Sequence, residues 1–149
     1  DESMETINNL LNMSVVKEGD YYWPVPYTKN ITSHFQSKRL NPVTGKIKDH
    51  NGTDIAANGV KNEPAVAIED GTVTYAGTAG GYGNVVEINH GDGLVTRYAH
   101  LNSILVSSGD VISGGDVIGL IGSTGNSTGP HLHFETILNG KTVNPLHFY

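Results

Sequence analysis

The residues of this chain best placed to do chemistry are two histidines separated by one residue, in Gly129-Pro130-His131-Leu132-His133-Phe134-Glu135. Apolar Leu132 and Phe134 alternate with them behind a turn-forming Thr128-Gly129-Pro130, a pattern that predicts a β-strand. Side chains at i and i+2 of a strand share a face, so His131 and His133 project into one space. Such a pair suits one metal ion, or a metal ion beside a catalytic base. A second stretch, Asp49-His50-Asn51-Gly52-Thr53-Asp54, sets His50 and Asp54 four residues apart, on about the same face whether extended or helical. One imidazole, one carboxylate and one further imidazole make the three-ligand set of a catalytic zinc, which keeps a position open for water. Calcium and magnesium prefer an all-oxygen shell, which this stretch does not offer. His100 follows Thr96-Arg97-Tyr98-Ala99 and is expected at the mouth of a loop, facing a cleft. Imidazoles beside such a metal can take a proton from water, stabilise an oxyanion or protonate a leaving amine, which is hydrolytic chemistry.

The elements that must position these residues read as short strands. Val66-Ala67-Ile68, Asp70-Gly71 and Thr72-Val73-Thr74-Tyr75-Ala76 give strand, turn and strand. Val85 to Ile88 and Leu94 to Ala99 flank a hairpin turn at His90-Gly91-Asp92-Gly93. Ile104 to Val106, Val111-Ile112 and Val117 to Ile121 follow as short strands with Gly-Asp turns, and Ser108-Gly109-Asp110-Val111-Ile112 nearly repeats as Gly114-Gly115-Asp116-Val117-Ile118. That repeat is shared with lipoyl and biotinyl carrier domains, but no lysine stands between Gly109 and Gly119 to carry the cofactor. Gly80 to Asn84 is expected to be a flexible glycine loop. Gln36 to Lys48 is polar and punctuated by Asn41-Pro42 and Thr44-Gly45, an exposed loop. Tyr21 to Tyr27, with two prolines, suits an extended arm that packs the chain entry on the body. Met4, Ile7, Leu10 and Leu11 recur at helical spacing and predict a short N-terminal helix or docking arm. The expected division is thus a segment over 1–20 and a domain over 21–149.

Length and composition agree with one all-β domain: 149 residues, 37% hydrophobic, with 19 glycines distributed among short apolar runs. A net charge of −6 without a basic stripe argues against a nucleic-acid partner. The absence of cysteine excludes disulfides and thiolate zinc knots. No apolar run is long enough to span a membrane, and residues 1–20 lack the basic start and apolar centre of a signal peptide. Any export signal is therefore expected outside these residues.

The three histidine segments together resemble the LytM/lysostaphin-type zinc metallopeptidases that cleave peptidoglycan peptides. The resemblance rests on His50-Asn51-Gly52-Thr53-Asp54, on Tyr98-Ala99-His100-Leu101 and on the run from Gly122 to Glu135, and it extends from about Trp23 to Pro145. It implies a compact antiparallel domain of the duplicated hybrid motif type with a substrate groove. It implies zinc ligands at His50, Asp54 and His133 and catalytic histidines at His100 and His131. It further implies a monomeric enzyme acting on stem peptides and cross-links in the wall or periplasm. The segment Arg39 to Lys46 looks like the D,D-endopeptidase branch, since the glycyl-glycine branch carries a tyrosine in a glycine-rich stretch there. A non-catalytic wall-binding or regulatory module of the same fold, and a glycyl-glycine endopeptidase or bacteriocin-like bacteriolysin, are the competing expectations. The zinc site is expected on the groove floor, with His-x-His on one wall and His50/Asp54 on the other. Among the remaining residues, His34, His90 and His147 are expected at the surface and Asn84 in a left-handed turn. Glu135, on the face of His133, is expected either to orient an imidazole or to form a cross-strand salt bridge.

Overall fold

The computed structural model describes residues 17–18, 20–40 and 47–149. The helix or arm expected over 1–16 lies outside the described residues, as do 41–46 of the polar loop. Among the described residues fourteen strands follow in order: β1 (Lys17–Glu18), β2 (Tyr21–Tyr22), β3 (Ile31–Ser33), β4 (Gln36–Leu40), β5 (Ile47–His50), β6 (Thr53–Ile55), β7 (Pro64–Val66), β8 (Gly71–Thr78), β9 (Asn84–Gly91), β10 (Leu94–Ile104), β11 (Val111–Ile112), β12 (Val117–Ile121), β13 (Leu132–Leu138) and β14 (Lys141–Val143). Two 3-10 turns, Gly80–Tyr82 and Pro145–Phe148, complete them. Ten strands form one sheet in the order β11-β8-β9-β10-β13-β6-β3, with β12 bridging β10 and β7 and β14 on β13. The pairings are antiparallel, as expected for an all-β chain of hairpins.

The core follows from alternation. Val86 and Ile88 on β9, Tyr98 on β10, and Leu132 and Phe134 on β13 point to one face and are fully buried. Ile55, Leu101, Ile118 and Ile121 join them. Each such side chain contributes about 1.5–3 kcal/mol by leaving water. Trp23 and Val25 close the core from the entry arm, held by Val66 N–H donating to Pro24 O at 2.9 Å and Trp23 Nε1–H donating to Thr28 O at 2.9 Å.

The repeated Gly-Asp phrases build one turn twice. Asp110 Oδ2 accepts from Ser107 N–H and Asp116 Oδ2 from Ser113 N–H, both at 2.8 Å, and Gly109 and Gly115 take φ of 96° and 88°. An aspartate that closes its own turn, beside a glycine that supplies the positive φ, accounts for the phrase without a carrier role.

Several expectations change. The polar stretch is not all loop: β4 and β5 pair as a separate hairpin, Gln36 opposite His50. The sequences of its strands, Gln36–Leu40 and Ile47–His50, carry no hydrophobic alternation to mark them. The Val66–Ile68 strand begins earlier, as β7, and pairs with β12 rather than turning back on β8. His90 belongs to β9, and the turn is Asp92-Gly93. The Nδ1–H of His90 donates to Asp70 O at 2.8 Å, and its Nε2 meets Thr96 Oγ1 at 2.7 Å. Asn84 starts β9 instead of occupying a left-handed turn. Its Nδ2 donates to Leu101 O at 3.0 Å. The glycine loop before it is a 3-10 turn pinned by Asn126 N–H donating to Gly81 O at 2.9 Å.

Candidate metal and catalytic site

His133 and Asp54 face each other because β13 and β6 are neighbours in one sheet, in a register that makes these two residues direct partners. The two segments therefore do not form opposite walls, as expected from sequence; they lie side by side on the floor. The walls come from the Gly80–Tyr82 turn and the loop carrying Asn126, Ser127 and Thr128, which border a cleft of about 460 Å³ with the histidines at its base.

The metal-binding geometry is built from local constraints. His50 ends β5, and its Nδ1–H donates to His34 O at 2.8 Å, which leaves Nε2 turned toward Asp54 Oδ2 at 3.4 Å. His133 is held the other way round: Nε2–H donates to Glu135 Oε2 at 2.9 Å, and Nδ1 lies 2.8 Å from Asp54 Oδ1. One donor atom each from His50, Asp54 and His133 lies within 4.8 Å of the others. Two imidazole nitrogens whose second nitrogens are already tied, with one carboxylate, fit a borderline-soft cation such as zinc and leave a position open. Gly52, between the first two of these residues, passes so close to β13 that a Cβ would stand 2.5 Å from Phe134 O and 2.9 Å from His133 Cε1. The glycine in His-x-Gly-x-Asp is there for this approach.

Electrostatics follow the same contacts. Burial alone would raise the Asp54 carboxyl, but hydrogen bonds from His133 and His50 outweigh it and hold it far below the usual carboxylate range. Burial would depress His133, but its bonds to Asp54 and Glu135 push it up to about 9. A metal ion would take the place of the Nδ1 proton.

His131 stands just before β13, its Nδ1–H donating to Gly129 O at 2.9 Å and its Nε2 3.7 Å from Asp54 Oδ1. His100 is not at a loop mouth. Strand β10 continues through it to Ile104, and its pairing with β9 is bulged between Tyr98 and Leu101. His100 takes φ of 62°, a left-handed conformation that non-glycine residues adopt at a cost of about 1–3 kcal/mol. The bulge breaks alternation, so that Leu101 stays in the core while His100 enters the cleft. Its Nδ1–H donates to Thr124 O at 2.7 Å, its ring centroid is 4.7 Å from that of His131, and burial lowers its basicity. All five residues singled out in the sequence thus converge on one cleft. His34 contributes a backbone oxygen, and His90 and His147 stand outside the cleft.

Sequence reasoning missed Tyr82, Thr124, Ser127 and Arg97. Tyr82 OH donates to Glu135 at 3.0 Å, and Arg97 Nη1 donates to Glu135 Oε1 at 3.2 Å. Neither has a motif of its own; only the Tyr82 position among glycines hinted at a shaped turn.

The model of peptidase family M23 matches residues 48–145. The DD-carboxypeptidase/endopeptidase Mpg of Neisseria meningitidis serogroup B is 46% identical over 123 residues, which are 83% of this chain and 27% of that protein. The peptidoglycan DD-endopeptidase ShyA of Vibrio cholerae is 44% identical over 124 residues, 83% of this chain and 28% of that protein. The chain thus spans about a quarter of the length of these curated relatives. Among solved structures, a zinc-containing peptidase from Vibrio cholerae superposes with a TM-score of 0.75 at 36% identity, covering 87% of this chain and 44% of that one.

Proposed function

The chain belongs to peptidase family M23, and on that premise we propose that it is the catalytic unit of a zinc-dependent endopeptidase that hydrolyses peptide cross-links of bacterial peptidoglycan. The observation that carries the reading is the convergence of His50, Asp54, His133, His100 and His131 on one cleft. His50 through Nε2, Asp54 through its carboxylate and His133 through Nδ1 would hold the zinc. The chemistry supplied by the ion there is Lewis acidity toward the scissile carbonyl and toward a water nucleophile.

The chain's own residues supply the rest. Because burial lowers the basicity of His100, it enters neutral, with its Nδ1 proton committed to Thr124 O and its Nε2 lone pair ready to take a proton. His131, fixed by Gly129 O, presents Nε2 on the same side of the cleft, where a proton held on that atom meets the developing oxyanion or the leaving amine. Neither ring needs to reorient during the reaction, since both are anchored to backbone carbonyls. The open cleft admits an extended peptide between the Gly80–Tyr82 turn and the 126–128 loop.

Specificity for the D,D cross-link is supported by the two relatives whose names carry that activity and by the Arg39–Lys46 segment, which lacks the tyrosine of the glycyl-glycine branch. Such a substrate places the working protein in the wall or periplasm, with residues 21–149 acting as a monomeric domain. The test is mass spectrometry of purified muropeptide dimers incubated with zinc-loaded protein and with a chelated control. Monomers that appear only with metal support the reading, and their masses name the bond; intact dimers in both tubes refute it.

A further inference from the structure

Glu135 is 1% exposed, yet it is a carboxylate on the polar face of the sheet. It lies opposite Arg97 in the β10–β13 register, and Arg97 lies opposite Glu87 in the β9–β10 register. The three therefore form a cross-strand ladder of alternating charge. Arg97 Nε donates to Glu87 Oε2 at 2.8 Å and Nη1 to Glu135 Oε1 at 3.2 Å. Tyr82 comes down from its 3-10 turn and donates to the same carboxylate at 3.0–3.1 Å, with Arg97 Cζ 5.8 Å from its ring. The remaining contact of Glu135 is the Nε2–H of His133 at 2.9 Å. A buried carboxylate without partners would be strongly unfavourable, so this one fits its site only while the whole set is in place.

The set has a directional consequence. Tyr82 and Arg97 bind Glu135 from two sides and fix the plane of its carboxylate. The carboxylate then fixes the His133 ring with Nε2–H toward it and Nδ1 toward Asp54. Among the described residues the cleft is lined by Tyr82 and His133 but not by Glu135 or Arg97. Arg97 instead lines a separate groove of about 510 Å³ with Thr74, Tyr75 and Glu87. We propose that Arg97 and Tyr82 are positioning residues of the metal site, acting through Glu135 to hold His133 in its Nδ1-ligating orientation. The proposal rests on the metal-site reading above and adds to it the residues that decide how tightly the ion is held.

The experiment is a zinc dissociation constant measured by competition with a chromogenic chelator on the full chain, together with the melting temperature of each metal-free variant. Removing a hydrogen-bonding partner of a metal ligand weakens metal binding by about 10- to 100-fold. Glu135→Gln should lie in that range, and Arg97→Gln and Tyr82→Phe should each weaken zinc binding by roughly several-fold, with Arg97→Lys recovering part of the loss. The Arg97→Gln/Glu135→Gln double variant should bind zinc no more weakly than Glu135→Gln alone, because both act through one carboxylate. Arg97 and Tyr82 are partly exposed, so their variants report even if Glu135→Gln does not fold. Arg97→Gln and Tyr82→Phe with lowered melting temperatures but zinc affinity within about twofold of wild type would overturn the proposal and leave the ladder purely structural. Multiplying losses in the double variant would overturn it as well. A wild-type chain that bound no zinc would remove the metal-site reading itself.

Discussion

Gly52→Ala tests whether the close approach of the residue before β6 to β13 shapes the site. The added Cβ would lie 2.5 Å from Phe134 O, 2.9 Å from Glu135 Cγ and 2.9 Å from His133 Cε1. The first contact is backbone, at a residue paired with Thr53 across the β6–β13 ladder, so it cannot be relieved without opening the sheet. The other two are the stem of the carboxylate that orients His133 and the His133 ring itself. Overpacking of this kind costs about 1–3 kcal/mol. The lower entropy of an unfolded alanine returns about 0.4–1 kcal/mol. The net loss is then centred on about 1.3 kcal/mol and reaches at most about 2.6 kcal/mol, which at roughly 2–4 °C per kcal/mol for a chain of this size lowers the melting temperature by roughly 3–5 °C at the centre and by up to about 10 °C. Whatever relief occurs moves the His133 ring off Asp54, so zinc affinity should fall by about 10- to 100-fold as well. Gly129→Ala is the matched control: two residues from His131, with nothing within 4 Å of its Cβ and a φ outside the left-handed region. It should leave zinc affinity unchanged and raise the melting temperature by roughly 1–4 °C through the same unfolded-state entropy. Calorimetry and chelator competition on both variants decide the matter. A Gly52→Ala chain as stable and as zinc-avid as the Gly129→Ala chain would refute the steric argument.

His133→Ala should abolish both zinc retention and activity, whereas His131→Ala should abolish activity with zinc still bound; metal analysis of the two purified variants separates the roles, and metal loss in His131→Ala contradicts them. Tyr98→Phe should destabilise the fold by about 1–3 kcal/mol without altering zinc affinity, because it strands the buried Ile68 N–H that now donates to Tyr98 OH at 3.1 Å; denaturant titration checks it, and an unchanged midpoint tells against it. The metal-free chain should lose stability with rising pH: His133 is raised from 6.5 to about 9, so its contribution is complete below about 6.5 and disappears as the pH climbs through about 9. Asp54 behaves oppositely, its carboxyl being depressed from 3.8, so its contribution is present above that value and is lost in acid. A melting temperature of chelator-treated protein that stays flat from pH 6.5 to pH 9 would show that the His133 contacts are not as described.

What the sequence disclosed and what it withheld divide along a physical line. His131 and His133 were legible as a pair because i and i+2 spacing fixes a shared face locally, and β13 preserves it even though it begins only at Leu132. The same reasoning placed Glu135 on that face. It left open whether Glu135 orients an imidazole or bridges strands, and the structure has it do both, to His133 and to Arg97. That outcome depends on the register of β9, β10 and β13, a non-local property. Asp54 meeting His133 across 79 residues is likewise set by pairing and not by either motif. The His100 bulge was hidden because the apolar alternation fades after Ala99, which reads as a strand end at a loop mouth, and a left-handed histidine inside a continuing strand leaves no mark on composition. The β4–β5 hairpin was hidden because its largely polar strands show no hydrophobic alternation.

The four imidazoles of the cleft also show why residue type alone cannot assign roles. Each has one nitrogen anchored to a group outside the proposed ligand set, and that anchor decides where the other nitrogen points. For His50, His100 and His131 the partner is a neutral backbone carbonyl on Nδ1, of His34, Thr124 and Gly129 respectively. That leaves Nε2 for the ion or for proton transfer. For His133 alone the partner is a carboxylate, and it sits on Nε2, because strand alternation puts Glu135 two residues further along the same face. The ring is thereby reversed, with Nδ1 toward Asp54, and, against burial, its bonds to Asp54 and then to Glu135 raise its basicity. A histidine that would bind a metal through one nitrogen gains donor strength from an anion on the other, its proton leaving to solvent as the ion binds. The proposed proton-transfer role of His100 is served by a neutral carbonyl and by burial, which lowers its basicity. The group on the far side of each ring therefore fixes which nitrogen faces the cleft, Nδ1 for His133 and Nε2 for His50, His100 and His131.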